Sequence, residues 1–113
     1  MKSVHVVIIG GGYGGIRALE RLAHHRSVRI TLIDKNPYHY MQAEVYDFIA
    51  NKVDMSHIMI DLPSFTKSFS SVRFVCEEVN TIDPTHNQVA TQTETFTYDR
   101  LIIASGSRTY FPD

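Results

Sequence analysis

The sequence predicts an α/β fold in which a parallel β-sheet carries helices and a small antiparallel β-meander. Three observations predict this class. A β-branched run from Val4 to Ile9 stops at a cluster of glycines, an amphipathic helix follows from Tyr13, and an alternating strand runs from Val28 to Ile33. Together they form a βαβ unit, and its crossover should be right-handed.

The middle of the chain predicts further helices. Asn36-Pro37 breaks the chain after the second strand, and two helical regions are expected beyond it, one containing Ala43 to Ala50 and one near Ser56 to Phe69. Pro63 lies inside the later region and should kink or restart it, because proline removes a donor and clashes with the preceding turn. Val72 to Val75 then predicts a third parallel strand.

The last third of the chain is more polar than the part before it. Polar, Thr-rich segments separated by short turns predict an antiparallel meander, and these segments are Glu77 to Asp83, Gln88 to Thr91 and Thr95 to Tyr98. Leu101 to Ala104 then returns to a buried strand that ends at Ser105-Gly106. No internal repeat or linker interrupts residues 1–113, which favours a single domain or a part of one.

Composition excludes several classes of protein. The chain has 113 residues, with 11 Lys and Arg against 12 Asp and Glu, and this balance argues against a nucleic-acid-binding surface. An apolar content of 43% excludes a disordered, collagen-like or coiled-coil chain. No apolar run approaches the ~18 residues of a membrane helix, and no signal-peptide pattern is present. The sequence therefore indicates a cytoplasmic chain.

The glycine cluster carries the strongest functional signal. Gly10, Gly12 and Gly15 fit the pattern G-x-G-x-x-G directly after a strand and at the start of a helix. The first glycine permits a tight turn, the second lets the backbone approach a diphosphate, and the third lets the helix pack on the sheet. The helix N-terminus adds N–H groups and a positive dipole end. The motif predicts that a dinucleotide binds to Gly10, Gly11, Gly12, Tyr13, Gly14 and Gly15, and the alternative is a turn that serves packing alone.

Asp34 ends the second strand roughly 20 residues after the glycines, where an acidic residue accepts hydrogen bonds from the adenosine ribose. Its charge would repel a 2′-phosphate. The alternative is a carboxylate that caps the turn after the strand. FAD and NAD both offer a free adenosine ribose, so this part of the chain leaves both open.

Other chemistries have little support in the sequence. The single cysteine, Cys76, cannot form an internal disulfide or the pair that a disulfide reductase needs. The six histidines are scattered or adjacent on a helix and predict no metal site. No catalytic acid or base is assigned.

Three stretches together resemble the N-terminal FAD-binding part of type II NADH dehydrogenases (NADH:quinone oxidoreductases), within the pyridine nucleotide-disulfide oxidoreductase superfamily. They are GGGYGG with Asp34, NPYHYMQAEVYDFIA, and YDRLIIASGSRTYFPD. The resemblance covers essentially the whole chain. It implies a Rossmann-like FAD-binding domain that is incomplete, since the NADH domain and the C-terminal part of the family do not fit in this length. Ala104-Ser105-Gly106 stands where the family has Ala-Thr-Gly.

The resemblance also implies a function. The intact enzyme would pass hydride from NADH to FAD and on to quinone, and the flavin carries that chemistry. Lys35 would lie along the adenosine, Val79 at the adenine, and Ala104, Ser105 and Gly106 near the ribityl chain. Tyr38-His39-Tyr40 either lines the flavin or packs under the following helix. The chain alone should be inactive.

Partners and alternatives follow from the same resemblance. NADH and quinone are the expected partners, and membrane contact is expected to be peripheral, on the inner face of the cell membrane, through the missing C-terminal part. The unpaired side of Leu101 to Ala104 should invite dimerisation.

The alternative interpretations of the sequence are a sulfide:quinone reductase, another FAD-dependent pyridine nucleotide reductase, or a stand-alone dinucleotide-binding module without redox activity.

Overall fold

The computed structural model describes residues 3–42 and 57–104, which contain nine strands and two helices. In chain order they are β1 (Val4–Ile9), α1 (Tyr13–Leu22), β2 (Val28–Ile33), β3 (Tyr38–Gln42), β4 (His57–Asp61), α2 (Leu62–Lys67), β5 (Val72–Val75), β6 (Val79–Asp83), β7 (Gln88–Thr91), β8 (Thr95–Thr97) and β9 (Arg100–Ile103).

The central sheet has the strand order β5-β2-β1-β9, and each neighbouring pair is parallel. Val4 pairs with Val28, Val6 with Arg100, and Ile30 with Val72. Because all four strands run the same way, their carboxyl ends meet at one edge of the sheet. The glycine cluster and Asp34 both follow strands at that edge.

The sheet lies between two layers. On one face Ile8 and Leu32 pack against Ile16 and Leu19 of α1 and Leu62 of α2. The opposite face packs against the meander through a second cluster, whose buried members are Val7, Ile33, Val75, Val89, Phe96, Tyr98 and Leu101. Side chains alternate between faces along a strand, so β1 and β2 supply both clusters. This architecture confirms the predicted fold class.

The meander β6-β7-β8 is antiparallel, as predicted. Arg73 on β5 connects it to the central sheet: its guanidinium donates two hydrogen bonds to Glu94, at 2.9 and 2.8 Å. The same guanidinium lies 5.7 Å from the centre of the Phe96 ring. These contacts hold the meander against the edge strand of the sheet.

His5 is a buried polar residue on the meander side of β1. Its Nδ1 lies 2.6 Å from the Thr97 carbonyl oxygen, and its Nε2 lies 2.8 Å from the Thr31 hydroxyl. Since a carbonyl only accepts, the proton is on Nδ1, and Nε2 accepts from Thr31. Burial lowers the pKa of His5, because the charged imidazole is disfavoured away from water.

The helix predicted near Ser56 to Phe69 is wrong over its first part. His57–Asp61 forms a strand that pairs with β3, and α2 begins only at Leu62. Asp61 caps α2 by accepting from the Ser64 N–H at 3.2 Å. Pro63 lies in the first turn of the helix, where a missing N–H costs nothing, so it neither kinks nor restarts the helix. The predicted helix Ala43 to Ala50 lies outside the described residues.

Candidate functional site

The glycine turn connects β1 to α1 at the carboxyl edge of the sheet. Gly10 has a φ of 103°, a conformation that side chains disfavour, and its N–H donates to the Ile33 carbonyl at 2.8 Å. A Cβ on Gly15 would collide with the Gly10 carbonyl oxygen. Both glycines are therefore required by the turn itself.

Gly11 and Gly12 differ from each other in their surroundings. A Cβ on Gly11 would lie 2.5 Å from the Leu62 Cδ1 atom, so the end of the buried Leu62 side chain would have to shift to admit one. A Cβ on Gly12 would meet, within 4 Å, one atom of the described residues, His39 Nδ1 at 3.8 Å. Packing accounts for Gly10, Gly11 and Gly15 and leaves Gly12 without a structural reason. In the described residues, the space beside Gly12 is therefore open.

Helix α1 presents its N-terminus to this open side. Gly12 is the N-cap in an extended conformation, and no side chain in the described part of the chain caps the helix. The first turn, which begins with the half-exposed Tyr13 and Gly14, has no acidic residue. Its N–H groups and positive dipole end therefore face the turn, and the helix supplies no carboxylate of its own to compete for them.

Asp34 lies directly beside the glycine turn. Its Oδ2 accepts from the Gly11 N–H at 2.6 Å and from His39 Nε2 at 2.6 Å, while its Oδ1 accepts from the Asn36 N–H at 2.8 Å. The side chain is 8% exposed. The bond from Asn36 shows that Asp34 caps the turn after β2, which was the alternative interpretation, and its contact with an adenosine ribose stays a prediction. A carboxylate has about four acceptor positions, so roughly one remains, on Oδ1.

The remaining predicted residues are spread along the same edge. Ala104 is buried and donates its N–H to the Ile9 carbonyl at 2.8 Å, one residue before Gly10. Val79 begins β6 and packs on the meander side of the sheet. The Lys35 carbonyl accepts from the Cys76 thiol at 3.6 Å, and in the described residues no hydrogen bond or ion pair links the Lys35 side chain to the glycine turn. Ser105 and Gly106 lie outside the described residues.

Sequence reasoning missed two residues of the site. Leu62 is fully buried and packs on Gly11, and its N–H donates to the Pro37 carbonyl at 2.8 Å. No sequence signal pointed to Leu62. His39 was singled out only as part of an aromatic segment, yet it lies on β3 and contacts both sides of the site, Asp34 and the space over Gly12.

Other features of the described residues lie away from this site. A cavity of about 580 Å³ opens at the amino end of the sheet and is lined by Arg29, Thr31 and Phe96 among others, with no residue of the glycine turn. No three His, Cys, Asp or Glu side chains in residues 3–42 and 57–104 are grouped to hold a metal ion. Neither described helix is long and apolar enough to cross a membrane.

Comparison with known families identifies one match that spans most of the chain. The model of the pyridine nucleotide-disulphide oxidoreductase family matches residues 4–113.

Among curated relatives, the NADH dehydrogenase-like protein YutJ of Bacillus subtilis is 37% identical over 105 residues, which cover 89% of this chain and 28% of that protein. The type II NADH:quinone oxidoreductase of Staphylococcus haemolyticus is 31% identical over 104 residues, covering 89% of this chain and 26% of that protein. The chain thus spans about a quarter of the length of these relatives.

Two solved structures share the fold. The sulfide:quinone oxidoreductase of Aquifex aeolicus has 32% sequence identity and a TM-score of 0.68, covering 94% of this chain and 25% of that one. The NDH2 of Plasmodium falciparum in complex with NADH has 18% identity and a TM-score of 0.69, covering 96% of this chain and 23% of that one. The second likeness concerns the fold alone.

Proposed function

Because the chain belongs to the pyridine nucleotide-disulphide oxidoreductase family, we propose that its glycine turn and Asp34 bind FAD in a flavoprotein that transfers hydride from NADH to quinone. The named activities of the relatives from B. subtilis and S. haemolyticus support this donor and this acceptor. FAD, when bound, supplies the hydride-transfer chemistry, and the residues of this chain bind and orient it.

The open side of Gly12 beside Asp34 is the observation that carries the proposal. The diphosphate of the cofactor would pass over Gly12, where no described atom except His39 Nδ1 comes within 4 Å of an added Cβ. The uncapped N-terminus of α1 would donate N–H groups to it. The ribose would donate to the acceptor position left on Asp34 Oδ1, and the carboxylate would repel a 2′-phosphate.

The rest of the cofactor would follow the carboxyl edge of the sheet. Lys35, which follows β2 at this edge, would lie along the adenosine, and Val79, the first residue of β6, would lie at the adenine. Ala104, Ser105 and Gly106 would lie near the ribityl chain, a role supported by the contact of Ala104 with Ile9. None of these residues is proposed as an acid or a base in catalysis.

The absorbance spectrum of the purified protein after incubation with FAD tests the cofactor assignment. Flavin bands that stay with the protein through gel filtration are expected. Gly12→Val places methyl groups in the open space, so it should abolish flavin uptake while the melting temperature stays close to that of the wild type. Unchanged flavin content in a folded Gly12→Val variant would refute the assignment.

The activity is proposed for the whole protein of which these residues would form the FAD-binding part, because the chain matches 28% and 26% of its relatives' lengths. The 113 residues alone should bind flavin without turnover. A full-length protein should reduce a soluble quinone with NADH.

A second candidate, reduction of quinone by sulfide, is favoured by the 32% identity to the A. aeolicus structure. Comparing NADH with sulfide as the electron donor separates the two.

The surroundings of the protein are proposed on the same basis. A type II NADH:quinone oxidoreductase needs access to quinone, so we expect peripheral attachment at the cytoplasmic face of the membrane through parts beyond these residues.

In the described residues β9 has a strand partner on one side, β1. Such an edge invites pairing with a second copy, and light scattering at high concentration should detect dimers of the chain expressed alone. A strictly monomeric chain would contradict this expectation.

A further inference from the structure

His39 occupies a position that the cofactor assignment leaves unexplained. It pairs with Ile60 in the β3–β4 register, and Ile60 packs on the core between the sheet and the helices. Tyr38 pairs with Asp61 and therefore lies on the other face of the hairpin, where it is half exposed. The hairpin thus directs the His39 imidazole inward, towards the glycine turn.

The two ring nitrogens of His39 have different surroundings. Nε2 lies 2.6 Å from Asp34 Oδ2, and because an ionised carboxylate only accepts, Nε2 carries a proton. Nδ1 faces Gly12 and lies 3.8 Å from the place where a Cβ would be. The imidazole therefore stands between the ribose-binding carboxylate and the space for the diphosphate.

We propose that His39 is a binding residue of this site, which holds the diphosphate of an adenine dinucleotide as an imidazolium bridging Asp34 and the phosphate oxygens. The proposal rests on the cofactor-binding function proposed above. With Nε2–H on Asp34, a neutral ring would present the Nδ1 lone pair to the phosphates and repel them. A second proton on Nδ1 converts that repulsion into a charge-assisted hydrogen bond.

The charges around His39 favour this arrangement. Residues 10–15 of the glycine turn contain no Lys or Arg, and the first turn of α1 contains no acid. Asp61, the acidic residue of the hairpin in the described part of the chain, lies on the outer face of the hairpin with Tyr38 and caps α2. Arg17 of α1 pairs with Glu20 at 3.5 Å. Asp34 is thus the charged side chain in contact with His39 in the described residues, and a diphosphate would meet the ring from its other side.

Calorimetric titration with ADP-ribose tests the proposal, because its diphosphate diester does not itself titrate near neutral pH. For the wild type, the affinity should fall as the pH rises, because the proposed imidazolium loses its second proton. Titrations in buffers of different ionisation enthalpy should show protons taken up on binding. His39→Gln should weaken binding roughly tenfold at the acidic end and remove the pH dependence and the proton uptake.

A matched control comes from His86, which also contacts an aspartate, Asp83, at 2.8 Å but lies exposed on the meander. His86→Gln should leave the affinity and its pH dependence unchanged. A measurement on the wild type avoids any effect of substitution on folding: on addition of ADP-ribose, the ring nitrogen resonances of His39 should move to the values of a doubly protonated imidazole.

The outcomes separate the two proposals. If neither ADP-ribose nor FAD binds the wild type, the cofactor-binding function fails, and the role of His39 fails with it. If the wild type binds both but His39→Gln keeps the affinity and the pH dependence, only the role of His39 is refuted. Tighter binding by His39→Gln would also refute it, because the imidazole would then obstruct the diphosphate.

Discussion

Gly15 lies so close to Gly10 that a Cβ on Gly15 would collide with the Gly10 carbonyl oxygen, with the carbonyl carbon 3.1 Å away. Backbone atoms of the turn cannot move aside without losing the hydrogen bond from Gly10 to Ile33. Gly12, in the same motif, has no such neighbour. The contrast separates Gly10 and Gly15, which shape the turn, from Gly12, which is proposed to leave room for the cofactor.

Gly15→Ala should therefore destabilise the fold. The added methyl group forces the helix away from the turn, and we expect the free energy of unfolding to fall by about 1 to 3 kcal/mol. Gly12→Ala is the control and should cost about 1 kcal/mol or less, as a change at a helix N-cap. Urea unfolding followed by circular dichroism measures both, and equal losses in the two variants would contradict this assignment.

Asp34→Ala should reduce both stability and flavin binding. The substitution leaves the Gly11 N–H without its acceptor, which costs about 1 to 3 kcal/mol for a buried donor. It also removes the group proposed to bind the ribose, so flavin retention should fall. Asp83→Ala is a matched control, because Asp83 also accepts from two backbone N–H groups, of Thr85 and His86, in an exposed turn. Flavin loss in both variants would argue against a specific role for Asp34.

Leu62→Ala tests the support that α2 gives to the glycine turn. Leu62 is fully buried and packs on Gly11, so its truncation should cost about 2 to 5 kcal/mol of stability. Flavin affinity should fall as well, since Gly11 loses its contact. Leu22 packs on the same cluster at the far end of α1, so Leu22→Ala should lower the melting temperature and leave the flavin affinity unchanged. The prediction is wrong if both variants bind flavin as tightly as the wild type.

The stability of the chain should depend on pH through His5. Burial lowers the pKa of the folded-state imidazole below its usual value of 6.5. The unfolded state therefore binds more protons in this window, so stability is complete above about pH 6.5 and falls as the pH drops towards the folded-state pKa. His5→Gln should remove this part of the pH dependence.

Urea unfolding at a series of pH values measures the effect as the difference between wild type and His5→Gln. The Thr91 and Thr93 hydroxyls hold the pKa of Glu77 below its usual value of 4.5, so the stability that Glu77 contributes is lost at a lower pH than the part that depends on His5. Parallel curves for the two proteins as the pH drops below about 6.5 would contradict the role of His5.

The local sequence was sufficient for most of the fold. The β-branched run from Val4 to Ile9, the helical spacing after Tyr13 and the strand Val28–Ile33 predicted the βαβ unit, because each element has its own period of buried side chains. The Thr-rich segments similarly predicted the meander. The strand His57–Asp61 was mistaken for helix, because its pairing partner, β3, lies across an intervening stretch of chain and no local pattern encodes that pairing.

The sequence by itself determined where a dinucleotide would be expected. The glycine spacing and the acidic residue at the strand end both belong to one βαβ unit, so they can be recognised without any contact between distant segments. Only the tertiary structure showed which glycines are required by packing, and that His39 and Leu62 lie against the glycine turn and Asp34. Both residues reach the turn from the β3–β4 hairpin and its following helix. Their positions depend on contacts between segments that are separated in the sequence, and such contacts produce no periodic pattern of residues along the chain.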